Sequence, residues 1–160
     1  MGPLLSTRWS VSWPLLAFGA IGVVGGGLVA AAIAPAPTEH GAWAAAYLVL
    51  VVGVAQVALT AGQAWLAADA PSSRVVMSEA ACWNTANALV IAGTITNAHP
   101  VVYVGGALLV AALAIFASEA RGAAAVRGKR WPVYVFRGLL AVLLVSIPTG
   151  LVLATIRTGA

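Results

Sequence analysis

The stretch Trp43–Ala68 reads WAAAYLVLVVGVAQVALTAGQAWLAA, 26 residues without a charge. A hydrocarbon core of about 30 Å is crossed by roughly 20 apolar residues in helical form, so this stretch is long enough to cross with some tilt. Its polar members are Gln56, Thr60 and Gln63. At about 100° per residue these three fall within about 60° of one another, with Gly53 beside them. An amide in hydrocarbon is costly unless bonded, so this face is expected to point into a bundle.

Four further apolar segments flank it: Leu15–Ala34, Met77–Thr96, Val101–Ser118 and Val133–Ile156. Backbone groups in lipid must be paired internally, and no alternating ten-residue strands are present, so each segment reads as a helix. The expected fold class is all-α: a polytopic membrane protein, one bundle of five transmembrane helices spanning about 15–34, 43–68, 77–96, 101–118 and 133–156, in a single domain over residues 1–160. Pro14 is placed to open the first helix and Pro132 the last, while Pro148 kinks the last without ending it. Asn97-Ala98-His99-Pro100 has turn chemistry and predicts a tight antiparallel hairpin. Arg8, the apolar stretch and Ala32-Ile33-Ala34 together resemble a secretory signal. The stretch exceeds a signal core in length, so a retained first helix is expected.

Composition agrees. Of the 160 residues 62% are hydrophobic and 8% charged, against about 25% charged in soluble domains, and the mean hydropathy is +1.00. The net charge of +4 sits in short connections, which reads as membrane orientation and not as nucleic-acid binding. With the N-terminus inside, Arg8, Arg74, Arg121, Arg127, Lys129, Arg130 and Arg137 fall on the inner side and only Arg157 on the outer. The expected location is the inner (plasma) membrane, multi-pass, N-terminus cytoplasmic and C-terminus outside. Trp9, Trp13, Trp65, Trp131 and Tyr134 then lie near the inner interface, and Trp43, Tyr47 and Tyr103 near the outer, as amphipathic rings prefer. Preference for Arg over Lys, with abundant Ala, Gly and Val, suits a bacterial source. Cys82 is the one cysteine, so no intrachain disulfide forms.

The third segment is the most polar. Glu79, Trp83, Asn87 and Thr94 share a face about 80° wide, and Asn84 lies to one side. Intramembrane polar residues serve either as helix–helix glue or as a functional site. If this face meets that of the second helix, Gln56, Thr60, Gln63, Glu79, Asn84, Asn87 and Thr94 form one polar seam able to contact a ligand or solute. Outer connections place Glu39, His40 and His99 on one side of the membrane, a donor set that suits zinc, copper or iron, or haem ligation by the two histidines. No catalytic residue is assigned, because nucleophile-elbow, zincin and phosphate-loop patterns are absent. The stripes Gly22, Gly26, Ala30, Ala34 and Gly105, Gly106, Ala107, Ala111, Ala114 allow close helix approach, within the chain or against another copy.

The five-helix outline resembles that of the translocator-protein family, but that family's W-x-P-P signature is missing; Trp13-Pro14 and Trp131-Pro132 do not match it. The leading expectation is a small helix bundle that works by binding, in contact with lipid and with like or unlike membrane subunits, as part of a larger complex or as a self-associating carrier. A solute transporter or channel using the seam is the first alternative. A metal- or haem-dependent redox enzyme at the outer rim is the second.

Overall fold

The computed structural model describes residues 3–66, 72–119 and 131–158. The basic cluster Arg121, Arg127, Lys129 and Arg130, and the connection at Asp69-Ala70-Pro71, lie outside the described residues. The described residues form five helical rods, and no strand occurs among them. The first is α1 (Pro3–Ile33). The second is built in three parts: α2 (Glu39–Tyr47), a π-helical segment (Leu48–Ala55) and α3 (Gln56–Leu66). The others are α4 (Ser73–Ile95), α5 (His99–Glu119) and α6 (Trp131–Thr158). Trp9–Ile33, Glu39–Leu66 and His99–Ser118 are long and apolar enough to cross a membrane, and Trp131–Ile147 is a shorter apolar helix.

The rods begin earlier than the apolar runs do, because caps set helix starts and apolar runs mark only the greasy part. Thr38 caps α2, its Oγ1 accepting from the Gly41 N–H at 3.1 Å. Ser72 caps α4, its Oγ accepting from the Val75 N–H at 3.3 Å. Each side chain satisfies a first-turn donor that no carbonyl can reach. Pro14 does not open α1 but lies inside it; it removes one backbone bond without ending the rod.

The expected hairpin between α4 and α5 is present, with a shorter turn. Asn97 adopts φ 54°, the left-handed conformation in which helices often stop. The Ala98 N–H then donates to the Gly93 carbonyl at 2.8 Å, and the Asn97 N–H to that of Thr94 at 3.4 Å. These are the two bonds of a Schellman cap. His99 and Pro100 therefore enter the first turn of α5, where proline's missing donor costs nothing.

Glycines bring two pairs of rods into backbone contact. A Cβ on Gly22 would lie 2.9 Å from the Gly53 nitrogen, and one on Gly53 2.8 Å from the Val23 nitrogen. A Cβ on Gly26 would meet the Ala45 carbonyl oxygen at 2.8 Å. On α5, a Cβ on Gly105 would meet the Ala86 oxygen at 2.9 Å. Gly22, Gly26 and Gly105 of the small-residue stripes are thus covered within the chain, where close approach compensates for the missing side chains through dispersion, while Ala30, Ala34, Ala107, Ala111 and Ala114 are exposed. Between α3 and α4 the backbones hold apart, and long side chains meet across the gap. Leu15, Leu59, Trp83, Ala86, Ala112 and Phe116 form the centre of the apolar core. The Trp83 and Phe116 rings meet edge to face at 6.1 Å.

Glycine contacts of this kind are testable. Gly53→Ala forces atoms into backbone on the facing rod and is expected to cost about 1–3 kcal/mol. A Cβ on Gly25 would have nothing within 4 Å, so Gly25→Ala is expected to be neutral or mildly stabilising. Thermal unfolding of the detergent-solubilised variants, side by side, measures the difference.

Candidate functional site

Tyr47 and Gln56 are nine residues apart, and regular α geometry at about 100° per residue would set them on opposite faces of the rod. The π segment between them changes that. Its i→i+5 bonds widen each turn and advance each residue by roughly 20° less. Over eight residues the deficit brings Tyr47 round to the Gln56 side. The result is visible in the bonding: the Tyr47 hydroxyl donates to Asn87 Oδ1 on α4 at 2.9 Å.

A second cross-rod bond lies toward the other end of α3. Gln63 Nε2 donates to Glu79 Oε1 at 2.7 Å, with both side chains buried. From Tyr47 to Gln63 the rod rises at most about 24 Å, taking 1.5 Å per residue as the upper bound across the π segment, which is much of a bilayer core. Between the two bonds lie Gln56, Thr60 and Trp83, all buried. Thr60 Oγ1 donates to the Gln56 carbonyl at 2.7 Å, and Asn87 Nδ2 to the Trp83 carbonyl at 2.8 Å. Both groups are thereby satisfied locally while sealing a turn of their own helix.

Gln56 differs from these. It is 0% exposed, and neither its side-chain nitrogen nor its oxygen has a hydrogen-bond partner. Gln63 Oε1 and the Trp83 Nε1–H are likewise buried and unpaired. An amide buried without partners costs about 1–3 kcal/mol by mutational measures. Native structures contain few such groups, and each calls for an explanation. Here three such side chains belong to two facing helices, Gln56 and Gln63 to α3 and Trp83 to α4.

The structure brings together five of the seven seam residues expected from sequence: Gln56, Thr60, Gln63, Glu79 and Asn87. Asn84 and Thr94 are half-buried and bond to their own helix, Asn84 Nδ2 to the Ala80 carbonyl at 2.8 Å and Thr94 Oγ1 to that of Val90 at 2.7 Å. Two further residues join the seam. Tyr47 is invisible to α-helical arithmetic because the π segment re-phases it, and Trp83 reads as a core aromatic until its N–H is found unpaired.

Glu39, His40 and His99, expected to share an outer rim, do not group as a three-residue metal site. Glu39 and His40 are exposed in the first turn of α2, and His99 opens α5 half-buried. Among the described residues no three His, Cys, Asp or Glu side chains group as a metal site. Cys82 directs its thiol to the Leu108 carbonyl at 3.4 Å. An open groove of about 530 Å³ between α1 and the second rod, at the α1–α2 end, is lined by Gly27, Ala30, Ile33, Ala46, Val49 and Leu50 among others. Those apolar side chains offer no polar recognition. No family model, curated protein or solved structure matches this chain, so the site's own chemistry is what speaks for function.

That chemistry makes opposite predictions for the two glutamines. Gln56→Leu removes an unpaired amide at similar volume and is expected to raise the unfolding temperature of the ligand-free protein. Gln63→Leu takes one donor away from buried Glu79 and is expected to lower stability by about 1–3 kcal/mol. Thermal unfolding in one detergent, with both variants prepared alike, reads both signs.

Proposed function

We propose that this chain is a five-span protein of a bacterial inner membrane, N-terminus cytoplasmic, that works by binding a small polar solute in the seam between its second and third spans and carrying it across. The observation that carries this reading is Gln56, wholly buried with neither side-chain atom bonded. A group used only as glue between helices would have a protein partner, as Asn87 has in Tyr47. Its neighbours Gln63 Oε1 and Trp83 Nε1–H extend the unpaired strip. Marginal stability given up at a binding site is a common exchange for function.

The reading of the chain as a structural subunit, or as a self-associating bundle, draws on the glycine stripes. Gly22, Gly26 and Gly105 already face backbone inside the chain, which leaves those positions no surface for a partner. A redox enzyme at the outer rim would need Glu39, His40 and His99 in one cluster, and the solute reading does not.

The solute reading is tested on detergent-purified protein with a panel of small amides, polyols, amino acids, ammonium and alkali salts. At least one class is expected to raise the unfolding temperature of the wild type and to lose that effect in Gln56→Leu. A panel with no effect on the wild type contradicts the reading. Orientation is tested separately: a C-terminal fusion to an enzyme that folds only outside the cytoplasm is expected to be active, and an inactive fusion with an active cytoplasmic reporter reverses the topology.

A further inference from the structure

We infer that the solute is a small neutral molecule of the urea or carboxamide class; this rests on the reading that the seam binds a solute at all. The unpaired groups are balanced between donors and acceptors. Gln56 offers two N–H donors and a carbonyl oxygen, Trp83 offers one N–H, and Gln63 offers an oxygen because its nitrogen is committed to Glu79.

Each charged class leaves part of this set unsatisfied. A metal ion or an ammonium accepts no hydrogen bond, so the Trp83 and Gln56 N–H groups would stay bare. An anion donates none, so both glutamine oxygens would stay bare. Leu59, Ala86 and Phe116, all 0% exposed, are packed in the surrounding core. Moving an ion into such surroundings costs far more than moving a neutral amide unless the ion is paired, and the seam's one carboxyl, Glu79, already accepts from Gln63 Nε2. A molecule that carries both a carbonyl and an NH2 group can answer both kinds of unpaired group, donors and acceptors. Its carbonyl accepts from Gln56 Nε2 or Trp83 Nε1, and its NH2 donates to Gln56 Oε1 or Gln63 Oε1. The edge of the Gln56 amide, with donor and acceptor side by side, matches the edge of a carboxamide in a two-bond ring.

Spacing adds direction. Gln56 and Gln63 lie seven residues apart, about 10 Å along the rod. One urea cannot span them, so they act as successive stations. Trp83 lies one turn from Glu79 on the facing α4.

The test is solute uptake by proteoliposomes in stopped-flow light scattering, under inward gradients of urea, acetamide, glycerol and ammonium chloride in separate runs, with water permeability recorded on the same vesicles. Urea and acetamide are expected to re-swell vesicles holding the wild type faster than protein-free vesicles. Gln56→Leu and Trp83→Phe, which removes the indole N–H and keeps an aromatic ring, are each expected to slow that uptake about tenfold, the factor that one lost hydrogen bond of about 1.4 kcal/mol carries. A cooperative unfolding transition in each variant, well above the assay temperature, shows that both are folded. Uptake of glycerol or ammonium chloride without urea or acetamide overturns the ligand class and leaves the carrier reading standing. Water permeation alone, or amide uptake unchanged in both variants, also overturns the class. If no solute crosses and none shifts the unfolding temperature, the carrier reading itself falls.

Discussion

A polar side chain held away from water must find a partner, and that constraint organises the contact between the second rod and α4. Gln63 meets Glu79, and Tyr47 meets Asn87. These two bonds join the second rod and α4 at two levels. The backbone spacing they impose leaves Gln56 in the middle with nothing to bond. The features argued for function follow from that spacing. Were α3 and α4 packed as closely as α1 and the second rod, there would be no room for long polar side chains between them.

The second rod is therefore two-faced. One side is smooth: Gly53 lets α1 approach through Gly22 and Val23 until backbone meets backbone. The other side carries Gln56, Thr60 and Gln63 toward α4. The π segment Leu48–Ala55 adds Tyr47 to this second side. π segments cost hydrogen-bond geometry and recur at functional sites. Here the segment extends the polar strip toward the α2 end, from the level of Gln56 to that of Tyr47.

Much of the fold is legible in residue order because lipid-length apolar runs and helix periodicity are strong signals. The existence of five helices, the α4–α5 hairpin and the shared face of Gln56, Thr60 and Gln63 can all be read there. Helix starts cannot be read from apolarity, since Thr38 and Ser72 act through single capping bonds. His99 and Pro100 carry turn chemistry, but Asn97 and Ala98 complete the Schellman cap without them. Tyr47 is hidden because nothing in LVLVVGVA announces a π segment. Asn84 and Thr94 stay out of the seam because polar residues that can bond their own helix often do. Which polar atoms stay unpaired is a property of three-dimensional spacing, so only the structure distinguishes Gln56 and Trp83 from Asn87.

Site and fold meet at one atom pair, the Gln56 side-chain nitrogen and oxygen. The most direct measurement is an experimental density map of the protein in lipid nanodiscs, at a resolution that shows ordered water and small solutes. Non-protein density is expected within hydrogen-bonding distance of the Gln56 amide and the Trp83 Nε1, between α3 and α4. A Gln56 side chain bonded to protein groups, in a dry and closed interface, would contradict a solute-binding seam.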